Sequence, residues 1–487
     1  MASKSSSELN VLFAVSEYDG IVKTGGLADA AGALAPVMKA KGHNIRVIMP
    51  AYREALAKIE TRSVASGAVA MNHEETLWFG LRHGQLNGID IYFVEYNDFY
   101  DRDGIYSSNG HGFQDNSRRF AFFCKAALEA CRVMSFQPDV IHCHDWPTAL
   151  LPYYLRVDEC QSDFFKTTRS LLTIHNAAYQ QHTGVSQLDG IGVSWRYFNS
   201  ACFEDCGQIN LLKGGIAFAD KINAVSPSYG RELLTEAGSH GLVDSFRRRQ
   251  KDLTGILNGC DYQQWNPETD QLIPTNYSST DLSGKQLCKE ALQKRMGLPV
   301  AVDKPVYGLV SRLAEQKGFS FLMPALWQFL NQDVQVVMLG SGDSHTASEL
   351  RKLADYFPDK CSFYDGFDNA LAHQIEAGAD FFLMPSLFEP CGLNQIYSLK
   401  YATLPVVRRV GGLIDTVDDY DASGSEGTGF AFDAPEPGAL LSALHQSLDV
   451  YRDSDQFDRM RKQAMACNFD WQNAADSYCS VYQSMIC

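Results

Sequence analysis

FFLMPSLFEPCGLNQIYSLKYATLPVVRRVGGLIDTV, residues 381–417, is the stretch whose reading decides the fold. It begins with four apolar residues, Phe381 to Met384, the pattern of a strand buried on both faces in a parallel sheet. The run stops at Pro385-Ser386, and Glu389-Pro390-Cys391-Gly392 follows at the strand's carboxyl end, where open α/β sheets place ligands. A helix-like segment from Leu393 to about Ala402, a second apolar strand from Leu404 to Val407 and a Gly411-Gly412 turn complete a βαβ rhythm. A carboxylate, a glycine and exposed helix amides suit a polar ligand. The alternative is an ordinary turn with a solvated Glu389.

The same rhythm fills the chain. Asn10 to Ser16 reads as a buried strand, followed by Lys23-Thr24-Gly25-Gly26 and a helical pattern carried by Leu27, Ala31, Leu34 and Met38, then by the strand Ile45–Met49. This opening carries neither the dinucleotide fingerprint nor a Walker loop. Its glycine pair would let backbone amides approach an anion at a helix N-terminus, with Lys23 as a point charge. Further strands end in His142-Cys143-His144-Asp145-Trp146, in His175-Asn176 and in Ser226-Pro227-Ser228. The histidines and Asp145 are either metal ligands or a hydrogen-bonded network, and the lack of further ligands favours the network. The basic run Arg247-Arg248-Arg249 reads as a solvated helix face, and a Pro/Ser/Thr/Asn-rich passage follows Asn258, then a charged helix from Lys285 to Met296.

From Val306 the pattern restarts. One strand ends in Ser311-Arg312-Leu313 with Lys317-Gly318 beyond it, and the next ends in Gly340-Ser341-Gly342. Arg312 and Lys317 flank a strand-to-helix turn, the place for cations that clamp a diphosphate. The expected architecture is α/β, with two doubly wound domains at 1–257 and 258–468 and a C-terminal helix at 469–487.

Composition narrows the function. The 487 residues carry 58 Asp and Glu against 42 Lys and Arg, a net charge of −16, which argues against nucleic acid or an anionic membrane as the main partner. The 13 cysteines are scattered and odd in number, and Cys202 and Cys206 lack a second pair at zinc-ligand spacing, so free thiols in a reducing compartment are expected. Residues 1–10 are Ser/Lys-rich without an apolar segment, unlike a secretory signal, and short for a plastid transit peptide. The expectation is a cytoplasmic protein, or a stromal one if the source is a plant or alga.

Seven motifs in order narrow the reading further: Lys23-Thr-Gly-Gly-Leu-Ala-Asp29, the HxHDW run at 142–146, Thr173-Ile-His-Asn176, Asn258-Gly-Cys-Asp261, Ser311-Arg-Leu-x3-Lys-Gly318, Phe388-Glu-Pro-Cys-Gly392 and Arg409-Val-Gly-Gly-Leu413. Together they resemble the bacterial glycogen synthases and plant starch synthases over essentially the whole chain from Asn10. The resemblance implies the GT-B architecture, two Rossmann-like domains facing across a deep cleft, with the C-terminal helix 469–487 crossing back to pack on the first domain. It implies transfer of glucose from ADP-glucose to the non-reducing 4-hydroxyl of an α-1,4-glucan, glycogen or starch, with retention of configuration and with no cofactor or metal.

Carried over by position, the resemblance places Lys23 and Gly26 near the phosphates and glucose, with Asp29 in the same loop and His144 and Asp145 lining the cleft. His175 lies beside the transferred sugar and Asn258 faces it from the hinge. Arg312 and Lys317 hold the diphosphate, and Glu389 bonds glucose hydroxyls, with Cys391, Gly392, Gly342, Gly411 and Gly412 around it. Tyr106 is assigned to the nucleotide base. Asn394 and Val410 depart from the threonines usual at those positions. The alternatives are a synthase preferring UDP-glucose, a pyridoxal-phosphate glucan phosphorylase, for which no segment provides the lysine, and a silent glucan-binding protein.

Overall fold

The computed structural model describes residues 8–108, 110–421 and 427–486. The N-terminal segment read above as neither signal nor transit peptide lies, for residues 1–7, outside the described residues. The chain separates into two compact units, one of Met1–Leu257 with Trp471–Cys487 and the other of Asn258–Asp470.

The first unit is built on strands β1 (Asn10–Ala14), β2 (Asn44–Pro50), β3 (Arg62–Ala70), β4 (Thr76–Leu86), β5 (Ile89–Glu95), β6 (Val140–His144), β7 (Arg169–Ile174), β8 (Lys221–Ala224) and β9 (Leu253–Gly255). They form one nine-stranded sheet in the order β9-β8-β7-β6-β1-β2-β5-β4-β3. The seven strands from β9 to β5 run parallel, and β4 and β3 add an antiparallel edge. The strand order reverses beside β1, the switch point at which such sheets bind ligands. Val11 to Ala14 are fully buried, as a central parallel strand requires. The helix after the glycine pair, Gly26–Ala40, runs on through Pro36. Its face of Leu27, Ala31, Leu34 and Met38 is buried.

The C-terminal helix, Trp471–Ile486, belongs to this first unit and packs on Gly26–Ala40. Trp471, Tyr478, Tyr482 and Met485 are buried, and their spacing is the 3.6-residue period of one helix face. Tyr478 accepts a hydrogen bond from the Asn223 amide at 2.9 Å, and Lys41 pairs with Asp476.

The second unit carries β10 (Val306–Leu313), β11 (Gln335–Gly342), β12 (Cys361–Asp365), β13 (Phe381–Met384), β14 (Leu404–Arg408) and β15 (Phe430–Phe432), all parallel, in the order β12-β11-β10-β13-β14-β15. All four residues of β13 are buried, as the apolar run Phe381–Met384 predicts. Its switch point lies between β10 and β13, which places the loops after Leu313 and after Met384 side by side.

One reading of charge needs correction. Arg249 is not on a solvated face. Its guanidinium donates to the carbonyls of Ile216, Ala217, Ala219 and Asp220 and to the Asp252 carboxylate, capping the end of the helix Leu211–Phe218. In the charged helix, which spans Ser283–Arg295, Lys285 and Lys289 point inward. Lys289 is paired with the buried Asp380 at 2.7 Å, and Lys285 donates to the Tyr401 carbonyl and the Thr403 hydroxyl. The described cysteines are free thiols.

Candidate active site

In the first unit the glycine loop is organised by a residue that the motif pattern does not name. Glu17, three residues beyond the end of β1 and 3% exposed, accepts from the Thr24 amide at 2.5 Å, the Thr24 hydroxyl at 2.7 Å and the Gly25 amide at 3.2 Å. Tyr106 donates its hydroxyl to the same carboxylate at 2.8 Å and lies 2.7 Å from the Ser16 hydroxyl. Its ring packs against Phe120 and Trp146. Tyr106, assigned by resemblance to a nucleotide base, is thus placed as a support of the glycine loop. Lys23 is half-exposed and pairs with Asp29, with Asp19 at 3.6 Å. A Cβ added to Gly25 or Gly26 would meet nothing within 4 Å. The fold itself does not demand glycine there, so the pair leaves room for close approach of a ligand.

Behind this loop the histidines form a column, buried at His142 and His144 and half-buried at His175. His142 donates to or accepts from Thr173 Oγ1 through Nε2 at 2.7 Å, and its Nδ1 lies 2.8 Å from the Tyr482 hydroxyl. The His142 and His144 rings stack at 4.2 Å, and His144 Nδ1 lies 2.9 Å from His175 Nε2. Asp145 sits at φ 55°, a costly conformation for a residue with a Cβ, and its carboxyl accepts the backbone amides of His175 at 2.7 Å and Asn176 at 3.3 Å. The strain aims one carboxylate at the turn that carries His175. The arrangement is a hydrogen-bonded network of the kind the sequence favours.

Burial sets the protonation of this column. It drives His142 and His144 well below the usual imidazole range and His175 down to about 3, and it pushes Asp145 up to about 7. For His175 the folded value lies below the unfolded 6.5, so its contribution to stability is intact above pH 6.5 and is lost as pH falls toward 3. His175→Asn should therefore make unfolding free energy less sensitive to acid, by about 1.4 kcal/mol per pH unit between roughly pH 6 and 4, in denaturant titrations of the two proteins. An unchanged slope would contradict a ring kept neutral in the folded protein.

The second unit gathers its groups at the β10 and β13 ends. Glu389 is buried at 6% exposure, and its Oε2 accepts from the Lys317 ammonium at 2.5 Å and the Ser386 hydroxyl at 2.9 Å. The loops bearing the pair are laced together: the Leu387 amide donates to the Gln316 carbonyl at 2.8 Å, and the Gln316 side chain donates to the Phe388 carbonyl at 3.1 Å. Gly411 holds φ 46°, and a Cβ there would lie 2.0 Å from the Glu389 carbonyl oxygen. Gly412 donates its amide to that same carbonyl, and a Cβ on it would lie 2.2 Å from the Cys391 carbonyl. The glycine pair assigned to substrate is therefore also what lets the Glu389 loop close down on the next strand's turn.

Cys391 is buried, its thiol pushed up to about 12 by burial despite accepting the Asn258 amide. Asn258 Oδ1 is buried without a partner among the described residues. Gly392 turns the chain into the helix Asn394–Lys400. Gly342 ends β11 opposite Leu313, and Arg312 pairs with Ser341 in register. The Arg312 side chain is exposed and has no ion pair among the described residues, a free cation at the strand edge. Asn394 donates its amide to the Val310 carbonyl at 2.8 Å, and Val410 packs with Met384, Val407 and Leu413. Both departures thus have structural partners of their own.

The second unit thus brings Lys317, Glu389, Asn258, Cys391, Gly411 and Gly412 together and leaves Arg312 and Gly342 on the neighbouring strand ends, and the first unit links His144, Asp145 and His175 in one network. Glu17, Ser386, Thr173 and Tyr482 join them without having been foreseen. Glu17 and Ser386 stand just beyond strand ends, a position that could have flagged them.

Comparison with known proteins follows this geometry. A family model described as the starch synthase catalytic domain matches residues 10–248, and one described as glycosyl transferases group 1 matches 293–465. Glycogen synthase of Aeromonas salmonicida is 45% identical over 98% of this chain and 98% of its own length. That of Photobacterium profundum is 44% identical over 99% and 96%. Among solved structures, the catalytic domain of starch synthase IV from Arabidopsis thaliana, bound to ADP and acarbose, superposes with a TM-score of 0.89 at 30% identity, covering 99% of this chain and 100% of that one. A sucrose-phosphate synthase from Thermosynechococcus elongatus shares the fold, with a TM-score of 0.61 at 16% identity over 98% of each chain. The fold is that of the GT-B glycosyltransferases. Within that class, the chain belongs to the glycogen synthase and starch synthase family.

Proposed function

We propose that the protein is a glycogen or starch synthase that transfers glucose from ADP-glucose to the non-reducing 4-hydroxyl of an α-1,4-glucan, with retention. The observation that carries the reading is the Lys317–Glu389–Ser386 cluster, with the exposed Arg312 near the carboxyl end of β10, the strand that leads into Lys317. Supporting the donor is the starch synthase IV structure, which holds ADP. The second unit is the nucleotide-sugar side and the first unit the acceptor side. No helix among the described residues is long and apolar enough to cross a membrane, and a cytoplasmic or stromal location fits the reading.

Breaking a glycosyl–phosphate bond creates an oxocarbenium-like centre and a departing diphosphate. Lys317 and Arg312 stabilise the leaving group's charge, since cations placed where charge develops act most strongly in the transition state. Glu389 accepts hydrogen bonds from glucose hydroxyls and offsets positive charge at the sugar. Its Oε2 is already engaged by an ammonium and a hydroxyl, which makes it a weak nucleophile. The glucan hydroxyl instead attacks from the side the diphosphate leaves. Asn258 Oδ1, buried and unpaired, accepts a hydroxyl of the bound sugar, which removes the cost of about 1–3 kcal/mol that an unsatisfied buried acceptor carries.

The test is incorporation of labelled glucose into glycogen with ADP-glucose and UDP-glucose in parallel. Transfer from ADP-glucose is expected, with Asn394 and Val410 tolerated. Preference for UDP-glucose would move the donor assignment, and binding of glucan without transfer from either donor would overturn the reading.

A further inference from the structure

The histidine column has a consequence for the chemistry of His175 that rests on its placement beside the transferred sugar. His144 Nδ1 and His175 Nε2 lie 2.9 Å apart, so one proton is shared between two nitrogens and one ring must donate it. The other nitrogen of His144, Nε2, is buried without a partner among the described residues. Were the proton of His144 on Nε2, the structure would bury an orphaned N–H, which native proteins avoid more strictly than an unfilled lone pair. A doubly protonated ring would bury a charge as well. The stacked His142 ring at 4.2 Å, itself held between Tyr482 and Thr173, keeps the His144 ring in its plane.

We infer that His144 is a positioning residue that fixes the tautomer of His175: His144 Nδ1–H donates to His175 Nε2, so His175 carries its own proton on Nδ1 and presents that N–H to a ligand oxygen. His175 Nδ1 has no protein partner among the described residues and lies on a half-buried ring, so it is available to a ligand. The role of His175 is then that of a fixed neutral donor, suited to a sugar hydroxyl or a phosphate oxygen, and it needs no proton transfer. Which nitrogen of a histidine is protonated is set by the bond that the other makes. Here the bond is made by a second histidine whose remaining nitrogen has nowhere to place a proton.

The experiment is long-range proton–nitrogen NMR of the full chain with labelled histidine, His175 being assigned from the signals missing in His175→Asn. Wild type is expected to show His175 protonated on Nδ1. In His144→Asp a carboxylate oxygen accepts where the ring nitrogen donated, the proton of His175 moves to Nε2, and turnover falls on the order of tenfold to a hundredfold, the usual cost of losing an outer partner of a site group. His144→Asn, whose amide nitrogen stands where Nδ1 stands, is expected to restore both the Nδ1–H signature and most of the turnover. A wild-type His175 protonated on Nε2, or a His175 that carries no proton on Nε2 in His144→Asp, would overturn the inference. The spectrum does not depend on glucosyl transfer, so an Nδ1–H signature in a protein without transferase activity would sink the functional reading alone.

Discussion

Glu389→Ala is expected to lower the turnover of glucosyl transfer at least a hundredfold, the scale of removing one preorganised transition-state contact. The side chain is buried, fixed by Ser386 and Lys317, and carried on a loop that Gly411 and Gly412 allow to sit against its neighbour. Lys317→Ala is expected to cost as much turnover for a different reason, the loss of a cation at the diphosphate. The two variants should separate in stability. Removing Lys317 leaves a carboxylate at 8% side-chain exposure with only a hydroxyl for a partner, whereas removing Glu389 frees an ammonium at 19% exposure. Deleting one member of a buried pair typically costs about 3–5 kcal/mol, and the lower end applies to Lys317→Ala at this partly open site. Glu389→Ala should lose less. Initial rates with denaturant melts on both variants check the pair, and near-normal turnover in either would remove that residue from the mechanism.

Deletion of Trp471–Cys487 is expected to abolish the folded first unit. Trp471, Tyr478, Tyr482 and Met485 are buried in that helix, and each such side chain is worth about 1.5–3 kcal/mol. Their sum, roughly 6–12 kcal/mol, matches the entire stability of a typical domain. The deletion also strips Tyr482 from His142 and Tyr478 from Asn223, leaving buried polar groups unpaired beneath the exposed patch. The expected outcome is an aggregating protein or one without a cooperative transition for the first unit. A truncated chain that stays soluble, melts as the full chain does and transfers glucose would contradict the weight placed on this helix.

Much of the architecture is legible in the sequence because parallel strands buried on both faces are written as short apolar runs. Val11–Ala14, Leu171–Ile174, Val336–Leu339 and Phe381–Met384 all announce themselves in this way. The candidate site residues are legible for a related reason, since a polar group just past such a run must lie at a strand's carboxyl end. What stays hidden is partnership. Nothing local says that Glu17 caps the Thr24 and Gly25 amides, since the two meet only when the loop folds back. Arg249 looks like any arginine in a basic run until the helix end at Phe218 is brought to it, and Lys285 and Lys289 look solvated until Tyr401 and Asp380 cover them. The departures at Asn394 and Val410 show the same limit: a lost hydroxyl is visible in the sequence, whereas the bond to Val310 and the apolar cluster are not.

The central claim, retaining transfer to the non-reducing end of an α-1,4-glucan, is tested most directly by the fate of the transferred glucose. Glycogen labelled from ADP-glucose by this protein is digested exhaustively with β-amylase, which removes maltose from α-1,4-linked non-reducing ends. Release of the label as maltose is the predicted result, because it requires the α configuration, the 4-linkage and the outer chain end together. Label that resists the digestion, or that is found as free glucose before it, would contradict the account.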